Sequence, residues 1–406
     1  MYSRARVANK YLSTHYLTKS RRKKGWVYLT YIFTLLAFGN TNFTSLGNIV
    51  KKRADNLSFD QPDICNNKCL SRTGVNGTWI QDWDFARDHG QYHRWVYPNG
   101  PYVARRDRLF KPSPDSPYPW RTSWKWHSDA DADCQVNIMT HEKLCKVLFD
   151  LNVNQILFYG DSLTESMYTA FMNKLGDNVH VKPGGYEGSI VCTKNDGGNS
   201  SSLRYEINVL HERDKGGNAF PHSPRGVYEI SNISQAFISN TSLSESAIGI
   251  FNIGAHYHNF SHYREDMDIM LQSLSLLNRP QDIYFFRSTS PGHEGCEPRN
   301  RNFDWTKGLQ VTPLKSYKEY HVSSNKFDWD KFEHNNAYTK QLIATHNKEG
   351  RGAPIHFLDI YNMTVLRHDG HAAPADCLHY HNPGPVDWWN HLLFTYLEHL
   401  SKGATA

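Results

Sequence analysis

The segment NQILFYGDSLTESM (154–167) constrains the fold more than any other part of this chain. QILFYG is a short apolar run that ends in glycine, as a buried strand does, and SLTESMYTAFMNKL then returns to helical spacing. The same alternation recurs: HEKLCKVLFDLN with helical spacing, AIGIFNIG (247–254), a helix in YREDMDIMLQSLSLLN (263–278), DIYFFRSTS (282–290), PIHFLDI (354–360), and a terminal helix after Pro385. Buried strands alternating with amphipathic helices predict an α/β fold, a mainly parallel sheet with helices on both faces. In such sheets ligands sit beyond the C-terminal ends of the strands. Ser162, Asn252 and the stretch Ser288–His293 all fall at such ends.

At 406 residues the chain can bury a sizeable core, as one large domain or two smaller ones. The formal charge of +5 is carried by the first 24 residues, which hold eight Lys and Arg and no acid; without those eight the remainder is −3. The body therefore lacks the broad basic excess of a nucleic-acid binder. The tail runs into the uncharged GWVYLTYIFTLLAFG (25–39), short for a span of about 20 residues but workable as a transmembrane helix when extended to Phe43. A cleaved signal peptide is the rival reading. The long basic tail favours an uncleaved anchor, with the N-terminus cytosolic and the body lumenal. The expected organisation is a cytosolic tail (1–24), an anchor (25–43), a polar stem (44–64) and a lumenal catalytic domain (65–402). Within it, residues 65–135, rich in Trp, Tyr, Pro and Gly, read as an irregular minor lobe held by disulfides and aromatic packing.

Eight Asn-x-Ser/Thr triplets, at Asn42, Asn56, Asn76, Asn199, Asn232, Asn240, Asn259 and Asn362, favour a glycosylated secretory protein. Seven cysteines (Cys65, Cys69, Cys134, Cys145, Cys192, Cys296 and Cys377) would mostly pair in an oxidising lumen, leaving at least one over, with a connectivity that spacing does not give. No Cys/His half-site with convincing metal spacing accompanies Cys65 and Cys69, and His256 and His258 lack a third ligand, so no metal is expected.

Two words carry chemistry. Ser162, after Gly160-Asp161 at a strand-to-helix junction, is placed as a nucleophile whose oxyanion the helix-start amides can stabilise; the bland alternative is a helix cap. Asp376 and His379 are three apart near the chain end, where a short turn points both side chains to one place: His379 as base, Asp376 as its orienter. Asn252 can donate its amide to an oxyanion, against a turn-forming role. Gly184-Gly185 offers a second donor, against a simple turn.

At these residues the chain resembles the PC-esterase branch of the SGNH (GDSL) hydrolase superfamily, and within it the trichome birefringence-like polysaccharide O-acetyltransferases. WKWHSDADADC (124–134), ILFYGDSLTESM (156–167), FFRSTSPGHEGC (285–296) and DCLHYHNPGPVDWWNHLL (376–393) carry the likeness. The resemblance implies a Golgi single-pass type II enzyme with a lumenal SGNH-like domain that moves an acetyl group from a donor, acetyl-CoA or another, onto a glycan or polysaccharide hydroxyl, with no bound cofactor. It implies Ser162, Asp376 and His379 as the triad; the Ser162 amide, Asn252 and Gly185 as oxyanion donors; and Asp161, Arg287 and His293 near the substrate. Thr164-Glu165-Ser166 and His381 depart from the plant pattern, which has Arg-Asn-Gln and a cysteine there. A carbohydrate acetylesterase with the same triad and a non-catalytic glycan-binding protein are the alternative readings.

Overall fold

The computed structural model describes residues 73–89, 120–129, 135–182, 185–195, 202–213, 245–294, 312–324, 327–371 and 376–404. The expected tail, anchor and stem, along with Cys65 and Cys69, lie outside them. Among the described residues no helix is long and apolar enough to cross a membrane.

The strands are β1 (Gly77–Gln81), β2 (Trp124–Ser128), β3 (Val153–Gly160), β4 (Val179–Val181), β5 (Glu187–Asn195), β6 (Ser202–Arg213), β7 (Ser246–Asn252), β8 (Ile283–Arg287) and β9 (Ile355–Leu358). The helices are α1 (Trp83–His89), α2 (His141–Asp150), α3 (Ser162–Leu175), α4 (Phe260–Leu276), α5 (Phe332–Lys348), α6 (Tyr361–Val365) and α7 (Pro385–Ala404). Seven strands form one sheet in the order β4-β5-β6-β3-β7-β8-β9. From β6 to β9 every neighbouring pair is parallel, while β4, β5 and β6 pair antiparallel. The sheet is thus mainly parallel, with an antiparallel edge of three strands, β4, β5 and β6, not foreseen from the apolar runs.

β3 explains why the sheet is covered on both sides. Its side chains alternate between faces. Ile156 and Phe158 join the cluster that holds Leu144 and Leu148 of α2, Met167 and Phe171 of α3, and Trp389 and Leu393 of α7. Leu157 and Tyr159 join the opposite cluster, with Tyr263, Met267 and Met270 of α4 and Ile343 of α5. A strand buried on both faces has no polar side to alternate with, which is why QILFYG reads as a continuous apolar run. Each such side chain contributes roughly 1.5–3 kcal/mol by leaving water.

Where described, the stretch 65–135 is more ordered than its composition suggests. β1 and β2 form an antiparallel pair with Trp79 opposite Trp126. The Trp79 indole donates to Met363 O at 2.8 Å and meets Trp388 edge-on at 5.5 Å. Trp79, Phe85, Trp124 and Trp126 all belong to the main core. The aromatic richness of this stretch is therefore spent, in these residues, on packing against α7. Cys145 of α2 is bonded to Cys192 of β5, and Cys377 is also in a disulfide, its partner lying outside the described residues.

Candidate active site

β3 and α3 meet with no linker beyond Asp161. Gly160 makes this junction: a Cβ there would lie 2.4 Å from Asn252 O and 2.5 Å from Thr164 Oγ1. Only glycine lets the end of β3, the end of β7 and the first turn of α3 come so close. Asp161 then caps α3, its Oδ1 accepting from the N–H groups of Leu163 at 3.0 Å and Thr164 at 3.4 Å. The cap is thus Asp161 and not Ser162, which leaves the serine hydroxyl for other work.

Ser162 Oγ lies 2.7 Å from His379 Nε2, and His379 Nδ1 lies 2.7 Å from Asp376 Oδ2. With Nδ1–H donating to the carboxylate, Nε2 is left as the acceptor of the serine proton. Asp376 is fixed by its own turn, Oδ1 accepting from the N–H groups of Leu378 at 3.2 Å and His379 at 3.0 Å. Burial pushes the Asp376 carboxyl up, but the His379 ring and these two amides outweigh it and hold the group well below the usual carboxylate range. It stays ionised at any physiological pH, as an orienter must. Ser162 is 3 % exposed. With Leu163, Thr164 and Glu165 N–H all bonded to Asp161, the Ser162 N–H is the helix-start donor beside the Ser162 hydroxyl.

The other residues singled out from sequence take different places. Asn252, at the end of β7, donates its side-chain amide to Arg287 O at 2.7 Å and to Thr289 Oγ1 at 3.1 Å. Both amide hydrogens are engaged in tying β7 to the end of β8, so service to an oxyanion requires giving one up. Gly185, with φ +87°, sits before β5, and its N–H bonds Lys182 O at 3.1 Å. It is at the same end of the sheet as Ser162 but two strands from β3, about 10 Å by ordinary strand spacing. Gly184 lies outside the described residues.

Asp161 and Arg287 are buried and face each other, not solvent. Arg287 Nη2 donates to Thr164 Oγ1 at 3.2 Å and stands 4.0 Å from Asp161 Oδ1, while Nη1 donates to Ser288 O at 2.8 Å and the guanidinium lies over Trp389 at 5.0 Å. Arg287 thus pins the start of α3 to α7. His293 is also buried, its N–H bonded to Cys377 O at 3.0 Å, next to Asp376. Tyr380 OH donates to Pro291 O at 2.7 Å. The segment after β8 therefore holds the Asp376–His379 turn from behind.

No sequence signal pointed to His371, and Tyr380 stood out only as part of the DCLHYH segment, with no role of its own. A single histidine without a spaced partner carries no pattern, and these two become neighbours through an isolated antiparallel bridge at His371 and Tyr380. His258 pairs with Asp328 at 2.7 Å on the surface. Among the described residues, the one cluster of metal-ligating types is His141, Cys145 and Cys192, whose two sulfurs are joined to each other.

A buried serine, an imidazole accepting its proton and an ionised carboxylate on the far ring nitrogen form an acyl-transfer constellation. Comparison with known proteins agrees with this chemistry. Residues 252–396 match the PC-Esterase family model, described as a GDSL/SGNH-like acyl-esterase family found in Pmr5 and Cas1p. The match covers roughly the last third of the chain before its final helix turns. The matched part begins at Asn252 and takes in Arg287, His293, Asp376 and His379; Ser162 lies before it. Similar proteins include trichome birefringence-like 20 of Arabidopsis thaliana (28% identical over 167 residues, 37% of this chain and 32% of the relative). Trichome birefringence-like 13 of the same plant is 31% identical over 143 residues, 32% of this chain and 31% of the relative. Xyloglucan O-acetyltransferase 4 of Populus trichocarpa is 23% identical over 128 residues, 29% of this chain and 28% of the relative. The chain thus spans about a third of the length of the curated relatives it matches.

Proposed function

We propose that this protein is a glycan or polysaccharide O-acetyltransferase working through an acetyl-serine. The observation that carries the reading is the unbroken line from Ser162 Oγ to His379 to Asp376, with both contacts at 2.7 Å. Ser162 Oγ attacks the carbonyl carbon of an acetyl donor while its proton passes to His379 Nε2. The carbonyl electrons move to the oxygen, where the Ser162 N–H can stabilise them, and return as the bond to the leaving group breaks. His379 gives its proton to that group, and the acetyl ester of Ser162 remains. An acceptor sugar hydroxyl then loses its proton to His379 and attacks the ester, and His379 returns that proton to Ser162 Oγ as it leaves, giving back the free serine and an acetylated glycan. Asp376 holds the ring and stays ionised throughout. Transfer rather than hydrolysis requires the acceptor hydroxyl to reach the acyl-enzyme ahead of water, so the site must bind the glycan.

The xyloglucan acetyltransferase among the similar proteins supports a polysaccharide acceptor. The oxidised pair Cys145–Cys192, the eight glycosylation triplets and the uncharged run at 25–43 support a secretory, Golgi-type lumenal setting behind a signal anchor. Purified protein incubated with a labelled acetyl donor and a panel of glycans including xyloglucan tests the reading. Label on a glycan, lost in Ser162→Ala, is expected. Free acetate alone across the panel would make the protein an esterase. Full transfer by Ser162→Ala would end the acetyl-serine mechanism.

A further inference from the structure

Behind the His379 ring two buried imidazoles meet end to end. His293 Nδ1 and His371 Nε2 are 2.6 Å apart. The other nitrogen of His293, Nε2, faces Val365 O at 2.7 Å, and the other nitrogen of His371, Nδ1, faces His379 O at 3.0 Å. Both side chains are buried. A carbonyl only accepts, so the line Val365 O, His293, His371, His379 O contains three contacts that each need one N–H. Two neutral imidazoles supply two. With protons on the Nε2 atoms of both rings, Val365 O is satisfied and the His371 Nδ1 lone pair opposes the His379 carbonyl. With protons on both Nδ1 atoms, the His379 carbonyl is satisfied and Val365 O is not.

We propose that His371 is a positioning residue for His379, acting through an Nδ1–H donated to the His379 carbonyl, and that His293 sets which nitrogen of His371 carries that proton. The role rests on the serine-nucleophile reading above. Its physical basis is leverage: the His379 carbonyl and the His379 ring belong to one residue, and the ring must stay within reach of both Ser162 and Asp376. Opposed lone pairs would turn the 379–380 peptide and carry the ring with it, and misplacement by about 1 Å costs about 100-fold in rate.

The surroundings explain why the pair does not simply take a third proton. Burial draws His293 down to about 4 and His371 well below its ordinary value. The rings of Tyr320, His368 and Tyr380 pack against them. Asp369 and Asp376 favour the extra proton, His368 and His379 oppose it, and Arg367 is occupied with Asp369. Near neutrality the two rings therefore share two protons, and their placement decides whether the His379 carbonyl is held.

The test is the rate at which a fluorophosphonate probe labels Ser162 in the purified full chain, with thermal melting measured alongside, from about pH 5 to about pH 8. His371→Phe removes the donor and is expected to slow labelling at least about tenfold; His371→Asn restores an N–H near the Nδ1 position and is expected within about threefold of wild type. His293→Phe, which removes an equally buried ring but leaves His371 free to protonate Nδ1, is expected to slow labelling less than His371→Phe and to shift the acid limb of the profile. Equal losses in all three variants, or losses that follow melting alone, would assign both histidines to packing and overturn the proposal. A wild type that takes no label sinks the nucleophile reading and the positioning role with it, whereas a labelled wild type matched by His371→Phe sinks the positioning role alone. Should His371→Phe fail to fold, nitrogen NMR of 15N-histidine wild type decides: a protonated His371 Nδ1 supports the proposal and a bare one overturns it.

Discussion

The Arg287 guanidinium, wholly out of solvent, donates to Thr164 Oγ1 at 3.2 Å, two residues past the nucleophile. A side chain from the end of β8 thus fixes the first turn of α3, and with it the direction in which Ser162 leaves the backbone. Removing one member of a buried charged group leaves the others uncompensated, here Asp161. Arg287→Ala is expected to cost about 3 kcal/mol or more, read as a lower urea midpoint. Arg287→Lys keeps the charge but loses the planar fork and is expected to fall between the two. An unchanged midpoint in Arg287→Ala would mean that α3 is positioned without it.

Asp376 links activity to acid stability. Its folded carboxyl titrates below the unfolded value, so its contribution is present above the unfolded carboxylate range and is lost as pH falls through the folded value. Asp376→Asn is expected to flatten the fall in urea midpoint that the wild type shows below about pH 4. The same variant is expected to lose about four orders of magnitude in turnover, because the amide cannot hold His379 in the needed tautomer.

His356, on β9, is buried against Phe285, and burial draws it down to about 4. Here the depressed group is a base, so the sign differs in origin but not in direction. Between the folded value and the ordinary value near 6.5 the unfolded chain binds the proton that the folded chain refuses, and stability falls as pH drops through that window. His356→Leu is expected to weaken the fall in melting temperature between about pH 6.5 and about pH 4, a comparison that calorimetry makes directly.

The bond between Cys145 and Cys192 closes a loop over a sequence separation of 47. Chain-entropy arguments give roughly 4 kcal/mol for a loop of this size. The double variant Cys145→Ala, Cys192→Ala is expected to lose about 3–4 kcal/mol in urea unfolding while keeping Ser162 reactive in the folded protein, since α2 and β5 lie away from the catalytic turn. Loss of labelling in the folded double variant would tie this disulfide to the site.

The parts of the fold legible in the sequence are those buried on two faces. β3, β7, β8 and β9 are short apolar runs, and the helices α2, α3, α4 and α7 carry regular apolar spacing. The antiparallel β6 shows its one apolar side only as alternation, at Tyr205, Ile207 and Val209, and so leaves no continuous run. α5 was hidden for another reason: its buried side includes the polar Asn335, Asn336 and Thr339, of which Asn336 bonds Thr289 and Thr339 bonds the Tyr263 hydroxyl. Asn336 takes the Thr289 N–H at 2.8 Å and returns its amide to Thr289 O at 3.0 Å. At the site, Ser162, Asp376 and His379 could be named because each has a spaced motif. Arg287 and Asn252 were visible as residues but not as partners of one another, since their contact joins the ends of two neighbouring strands that lie 35 positions apart in the chain.

Ser162 and His379 are separated by 217 positions, and β7, β8 and β9 are laid down between them. On a ribosome Ser162 is made first and waits without its imidazole partner, because His379 has not yet been synthesised. The contact between them can form only when the sheet is complete and the last turn has closed over it. A nascent chain of this design holds the serine without the imidazole, so under the proposed mechanism the order of the chain itself withholds acyl chemistry until the fold is finished.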